Sequence, residues 1–313
     1  MNQPAIVTLT MNPALDVAAD ADEVRPTEKI RCRAERYDPG GGGINVARFA
    51  HALGASVAAV FTAGGPTGAR VVDLVGAAGV PHTAVAITGA TRESFTVNER
   101  ATGQHYRFVL PGPTLTRDEQ DRCLDALEER ASSARFVVMS GSLPPGVQPD
   151  FPAEVAALCE RTGASLILDT SGKGLSNSTS NVFLCKPSLR ELSECVGRAL
   201  ATEADQLAAA RELIDRGVAR VVVVSRGAMG VLLATARDSR SFSAVTVPVV
   251  SEVGTGDAMV AGIVVGLSRA LSIEDSVRYG IAAATAKLST PGTAAFERDD
   301  VESLFGTYSI SRR

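Results

Sequence analysis

Short apolar runs at 6–10, 57–61, 135–139, 166–170, 182–185 and 221–225, with a weaker one at 83–88, are bounded by turn residues. Strands covered on one face alternate, whereas strands buried on both faces read as continuous apolar runs, and these belong to the second kind. Between them lie segments of helical period: one that follows Gly43 and is closed by Gly54, then 68–78, 116–131, 151–162, the residues after 191, and 203–216. Two more helices are predicted at 257–270 and 273–289. Strands alternating with helices in this way predict a central, mostly parallel sheet with helices on both faces. Polar, glycine-rich loops follow nearly every core run, so they should gather at one edge, outside the carboxyl ends of the strands.

Two regions break the rhythm. Residues 18–36 are polar and alternate poorly, and 94–100 and 105–110 alternate about the turn 101–103, which reads as a hairpin. Together they predict a small four-stranded sheet standing off the main core. Such a flap could close on a ligand, pair with a second copy of itself, or be a hairpin without function. A second pair, 231–236 and 241–247, reads as antiparallel.

Composition narrows the classes. Of 313 residues, 45% are hydrophobic and 21% charged, and the net charge is −4, which gives no overall basic field for nucleic acid or a membrane surface. Five scattered cysteines (Cys32, Cys123, Cys159, Cys185, Cys195) lack metal or redox spacing and read as reduced packing residues. No secretory signal is read at the start, and the longest apolar run, 258–267, is half the ~20 residues a membrane helix needs. The expectation is a cytoplasmic protein of one large domain, residues 1–313, with lid strands within about 15–36 and 92–110. Catalysis does not rest on His51, His82 or His105, none of which has ligand spacing with another His or Cys.

The chemistry is concentrated at residues 253–270. Gly254 and Gly256 permit a tight turn with outward backbone N–H groups, and an apolar helix begins at Asp257. Amides at the positive end of a helix make an anion hole, and the adjacent carboxylate can accept a hydroxyl proton. Asp257 is otherwise an N-cap. Four glycines, 40–43, run directly into a helix, which predicts close approach of backbone to ligand, with Asn45 offering its amide to hydroxyls. Asp16, just past the first strand, is a hydroxyl acceptor or a turn residue. No G-x-x-x-x-G-K-[ST] loop occurs; Gly172-Lys-Gly174 lacks both the upstream glycine and the hydroxyl residue. If phosphate is handled, Lys186 and Glu191 suit a nucleotide phosphate and Mg²⁺ reached through water; in isolation they are surface charges.

Six ordered motifs carry a resemblance that covers essentially the whole chain. They are Thr8-Leu-Thr-Met-Asn-Pro-Ala-Leu-Asp16, Pro39-Gly-Gly-Gly-Gly-Ile-Asn-Val-Ala-Arg48, Gln104-His-Tyr-Arg-Phe-Val-Leu-Pro-Gly112, Ser140-Gly-Ser-Leu-Pro-Pro-Gly146, Lys186-Pro-Ser188 and Gly254-Thr-Gly-Asp257. The chain resembles the ribokinase-like (PfkB) carbohydrate kinases, in their phosphosugar branch, nearest to the type 2 6-phosphofructokinases. The resemblance implies a three-layer α/β/α fold with a mostly parallel central sheet and a small β-sheet lid. It implies ATP-dependent, Mg²⁺-assisted phosphorylation of a sugar phosphate, with fructose 6-phosphate first, tagatose 6-phosphate and fructose 1-phosphate as alternatives, and a catalytically silent sugar-phosphate-binding regulator as a reading of another class.

By the same resemblance Asp257 is the base, and the amides of Gly254, Thr255 and Gly256 stabilise the transferred group. Such a carboxylate at a helix N-terminus is expected to stay ionised as a weak base. Asp16, Gly41, Gly42, Asn45 and Ser142 match sugar-binding positions, while Arg92, Arg107 and Lys29 supply cations for the phosphate already on the substrate. Lys186, Ser188, Ser225, Gly227, Gly230 and Thr285 match the nucleotide side. Glu191 is implied for Mg²⁺ through water, and the backbone of Ser251 and Val253 for a candidate potassium ion. A homodimer through the lid is implied as well. Three departures stand out: Thr255 replaces the usual alanine, Ser188 the usual asparagine, and the loop at 290–293 is one residue short.

Overall fold

The computed structural model describes residues 4–170 and 181–310, and the Gly172-Lys-Gly174 run lies outside them. A nine-stranded sheet is built from β1 (Ile6–Thr10), β4 (Val57–Ala63), β5 (His82–Ala86), β8 (Phe136–Ser140), β9 (Ser165–Asp169), β10 (Val182–Cys185), β11 (Ala219–Ser225), β12 (Val231–Thr235) and β13 (Ser239–Phe242). Its order is β13-β12-β11-β10-β9-β8-β1-β4-β5, parallel from β11 to β5 and antiparallel at β12 and β13.

The continuous apolar runs are explained by burial on both faces. Along β11, Val221 and Val223 pack into one core while Val222 and Val224 pack into the other. The helices Gly42–Ala52, Gly65–Ala77, Thr255–Ser268, Ile273–Leu288 and Arg298–Ile310 cover the first face. Arg117–Ala131, Phe151–Thr162, Leu189–Val196 and Glu203–Asp215 cover the second. The three-layer α/β/α expectation is met.

The second sheet, β3-β2-β6-β7, consists of β2 (Ala14–Ala21), β3 (Arg33–Gly40), β6 (Arg92–Glu99) and β7 (His105–Val109). Its strands begin and end closer to the core than the polarity pattern predicts. β2 starts directly after Asn12-Pro13, so Asp16 stands on a lid strand and not in a turn. β3 runs on to Gly40, delivering the chain to the helix that opens at Gly42.

Other boundaries shift as well. The helix predicted from Asp257 starts at Thr255, with Gly254 as N-cap at φ +80°, so Asp257 is the third helical residue and not the cap. The outer strand predicted at 241–247 is Ser239–Phe242. The closing helix Arg298–Ile310 escapes the sequence pattern altogether, since few apolar residues such as Val301 and Leu304 are spaced among charges.

Strand order reverses at β1, whose neighbours β4 and β8 carry the chain in opposite directions across the sheet. In open α/β sheets the crevice outside such a switch point is where ligands bind.

Candidate active site

A cavity of about 330 Å³ lies beyond the carboxyl ends of β1, β8 and β9. The lid closes one side of it with Asp16, Arg92 and Arg107, and the core supplies Gly41, Gly42, Asn45, Ser142, Asp169, Glu191 and Asp257. Residues more than 200 positions apart in the chain are thus brought to one crevice.

Asp257 sits half-buried in the first turn of the Thr255–Ser268 helix. Asn45 Nδ2 donates to its Oδ2 at 2.8 Å, so the amide expected to meet sugar hydroxyls also orients the carboxylate. Burial pushes the Asp257 carboxyl up to about 7, and the neighbouring Asp169 pushes the same way; the bond from Asn45 and the charges of Lys186 and Arg107 oppose them. Against the expectation of a carboxylate that stays ionised as a weak base, desolvation makes Asp257 a stronger base than its ordinary value implies.

The turn before it carries the amides. First-turn N–H groups have no acceptor one turn back within the helix. That of Thr255 lies 3.3 Å from the Glu252 carbonyl, which therefore shares it, and the Thr255 hydroxyl donates to the same oxygen at 2.9 Å. The β-branched residue in place of alanine is absorbed by this bond, which closes the turn.

Lys186, only 4% exposed, lies with its Nζ 3.1 Å from Asp169 Oδ1. A side-chain Cβ added at Gly256 would stand 3.7 Å from that ammonium, so the charge lies directly under the anion-hole turn. Asp169 raises the Lys186 pKa against the burial that lowers it, and Glu191 and Asp257 act with Asp169. Asp169 itself is pushed up by burial, with Lys186 opposing. Sequence reading passed over Asp169 as the end of a core strand; a charged residue at a carboxyl strand end was the available signal.

Ser188 and Glu191 form a capping box. The Ser188 hydroxyl accepts from the Glu191 amide at 3.2 Å, and Glu191 Oε2 accepts from the Ser188 amide at 2.8 Å. The shorter residue in place of asparagine thus holds Glu191 in a fixed orientation at the cavity wall. Among the described residues no cluster of three or more His, Cys, Asp or Glu could hold a metal ion. Of the four carboxylates that line the cavity, Asp16, Asp169, Glu191 and Asp257, the pair Asp169 and Glu191 is the candidate donor set. That donor set suits Mg²⁺, which keeps several waters and takes further ligands from substrate phosphates.

On the lid side, Arg92 gives one N–H to the Leu110 carbonyl at 2.7 Å and another to that of Asn12 at 3.1 Å, so its guanidinium is fixed before any anion arrives. Burial pushes the Asp16 carboxyl up to about 6, opposed by Arg107, assisted by Asp38, and opposed again by Arg92 and Arg48. Asn12 Nδ2 donates to Ser142 Oγ at 3.1 Å and holds that hydroxyl at the cavity edge. Gly42 has to be glycine: a Cβ there would collide with Ser140 Oγ.

Other expected residues are not gathered here. Lys29 is exposed on the loop between β2 and β3 and lines neither this cavity nor a larger one of about 930 Å³. The larger cavity runs from the lid residues Asp16, Arg36 and Arg107 to Ser251 and Val253. Ser225 ends β11, with its amide donating to the Pro187 carbonyl at 3.0 Å. Gly227 opens the short turn Gly227–Met229 that Gly230 follows, and none of the three lines either cavity. Thr285 is 4% exposed, and its hydroxyl donates to the Ile281 carbonyl at 2.8 Å.

The family model of the pfkB family carbohydrate kinases matches residues 5–300. The chain is 61% identical over 303 residues, 97% of its own length and 89% of the relative's, to an ATP-dependent 6-phosphofructokinase isozyme 2 of Mycobacterium tuberculosis (strain ATCC 25618 / H37Rv). Two crystal structures of phosphofructokinase-2 from Escherichia coli are similar in fold. One, in complex with potassium, has a TM-score of 0.93 at 38% identity and covers 98% of this chain and 100% of that one. The other, in complex with fructose-6-phosphate, has a TM-score of 0.91 at 36% identity with the same coverage.

Proposed function

The chain belongs to the pfkB family of carbohydrate kinases, and from that premise we propose that it transfers the γ-phosphoryl group of ATP to the free primary hydroxyl of fructose 6-phosphate in the cytoplasm, giving fructose 1,6-bisphosphate. The observation that supports this reading is a single cavity of about 330 Å³ lined both by Asp257, in the first turn of its helix, and by Arg92 and Arg107 of the lid. A substrate spanning that cavity presents its existing phosphate to two guanidinium groups and its acceptor hydroxyl to a carboxylate. A neutral sugar has no use for the two cations.

Asp16, Asn45 and Ser142, with the backbone of Gly41 and Gly42, hold the sugar hydroxyls. Asp257 takes the hydroxyl proton as the bond from the acceptor oxygen to phosphorus forms and the bond to the β-phosphate oxygen breaks. The proton leaves late in a loose transition state, so a base with a pKa near neutrality is well matched. Charge developing on the transferred group is met by the turn amides and by Lys186 beneath them. Asp169 and Glu191 would hold Mg²⁺ through its waters; when bound, that ion neutralises charge on the β- and γ-phosphate oxygens. The match to the family would put Ser225, Gly227 and Gly230 beside the nucleotide, outside both cavities.

ADP release with MgATP and each of fructose 6-phosphate, fructose 1-phosphate, tagatose 6-phosphate and ribose tests the reading. Fructose 6-phosphate is expected to give the highest kcat/KM, and preference for any other acceptor overturns it. Arg92→Ala should raise the KM for fructose 6-phosphate about 10- to 100-fold, as the loss of a charge-assisted bond does, and leave that for ATP alone. An equal rise for both would remove the phosphate role.

The lid supports a homodimer. Phe95 and Phe108 are paired across β6 and β7 and are 39% and 58% exposed, with Val109 and Leu110 exposed beside them. A contiguous apolar patch on a projecting sheet is the mark of an interface. Sedimentation of Phe108→Glu should show a shift from dimer to monomer, and a wild type that sediments as a monomer would sink the idea.

A further inference from the structure

Lys287 has no part in the reaction described so far, yet it is 0% exposed. Lysine is almost never fully buried without a charged partner. Among the described residues no carboxylate lies within 4 Å of its Nζ, which instead donates to the Thr290 hydroxyl at 2.7 Å and the Thr290 carbonyl at 3.3 Å. The lysine stem passes beneath the anion-hole turn: a Cβ added at Gly254 would lie 3.6 Å from Lys287 Cε.

The same helix end is tied to the segment that leads into the turn. The Leu288 carbonyl accepts from the amides of Val250 at 2.7 Å and Ser251 at 3.2 Å, and the Val253 amide donates to Ser251 Oγ at 3.2 Å. A buried cation held only by neutral oxygens, with both loops around it and a phosphoryl-binding turn above, is the arrangement a bound monovalent metal ion would create.

We propose that Lys287 is a positioning residue that serves as a built-in cation for the anion-hole turn, so that turnover needs no added potassium. The ammonium holds the 290–294 loop against the segment before Gly254 and adds fixed positive potential behind the amides of Gly254 and Gly256. Field supplied by a covalently attached charge requires no ion to be captured first. Burial pulls the Lys287 pKa down to about 8; Arg36 on β3 acts the same way, Asp38 on β3 opposes, and Arg48 on the Gly42–Ala52 helix lowers it further. The charge is therefore present at pH 7 and is lost as pH rises through about 8. Arg36 also packs directly on Gly292, so the loop is gripped from the lid as well as from within.

The inference rests on the kinase reading, and one set of assays separates the two. Wild-type turnover of fructose 6-phosphate with MgATP is measured first, in potassium and in tetramethylammonium at one ionic strength. No turnover in either sinks the kinase reading itself. Equal kcat in both supports the built-in cation, and activation of about tenfold or more by potassium overturns it. Lys287→Met is expected to lower kcat about 10- to 100-fold in tetramethylammonium with little change in KM, and to regain activity with potassium or ammonium. Its melting temperature should rise on adding potassium, where that of wild type does not. A folded Lys287→Met protein that keeps wild-type kcat without potassium overturns the proposal. If Lys287→Met does not fold, Thr290→Val takes its place. It removes the hydroxyl that accepts from Lys287, together with that hydroxyl's own bonds to the Lys287 and Ala294 carbonyls, and should lower kcat with KM kept; unchanged kcat would count against the proposal.

Discussion

Asp257→Asn is expected to lower kcat for fructose 6-phosphate by about 10²- to 10⁴-fold, the range for loss of a general base, and at the same time to make the protein more stable at pH 8. The two effects share one cause. Burial and the Asp169 charge hold the Asp257 carboxyl at about 7 in the fold against 3.8 as its ordinary value. For a carboxyl whose folded pKa is raised, the protonated form is the one the fold favours, so stability falls as pH climbs from 3.8 to about 7 and stays low above that. At pH 8 the ionised group costs roughly 2–4 kcal/mol. Asparagine carries no charge and can still accept from Asn45, so its melting temperature should exceed that of wild type by roughly 5 °C, and the gain should shrink toward pH 5. Calorimetry at both pH values checks it; a variant less stable than wild type at pH 8 would mean the buried charge is not the controlling cost. The wild-type kcat/KM should fall tenfold per pH unit below about 7, since the base must be ionised in the free enzyme.

Lys186→Met should damage stability and turnover together. Removing one member of a buried pair costs about 3–5 kcal/mol because the other charge is left unpaired, and the melting temperature should drop by roughly 6–10 °C. Loss of the charge beneath the turn should lower kcat by about 10²- to 10³-fold. The acid limb of the pH profile gives a sharper readout. Lys186 lowers the Asp257 pKa and Asp169 raises it. Lys186→Met should therefore move the limb upward in pH, and Asp169→Asn should move it downward. Limbs that move in the same direction would show that the two groups do not act on Asp257 as a pair.

Much of this was legible in the chain because it is local. Continuous apolar runs such as Val221-Val-Val-Val224 can only be strands covered on both faces, and the glycine turn at 254–256 announces an anion hole within four residues. What escaped was set by contacts across long stretches of chain. Asp169 looks like a strand end until β10 places Lys186 beside it. Asn45 finds Asp257 212 residues away. Lys287 sits in an unbroken helical pattern, where nothing local marks it as buried without a counter-charge. The raised pKa of Asp257 escaped for the same reason: the helix terminus is visible in the sequence, whereas the desolvation and the Asp169 charge belong to the assembled crevice.

The crevice draws on two separate sheets: the lid contributes Asp16, Arg92 and Arg107, and the core and its helices contribute Asp169, Lys186 and Asp257. The cations proposed for the substrate's own phosphate and the groups proposed for phosphoryl transfer thus lie on different pieces of the molecule. A gene lineage can redraw four short strands to admit a new sugar phosphate while the phosphoryl-transfer apparatus passes through unaltered. Divergence in such a lineage should accumulate on the lid first, and a laboratory search for altered acceptor preference should begin with that sheet and extend to Asn45 and Ser142.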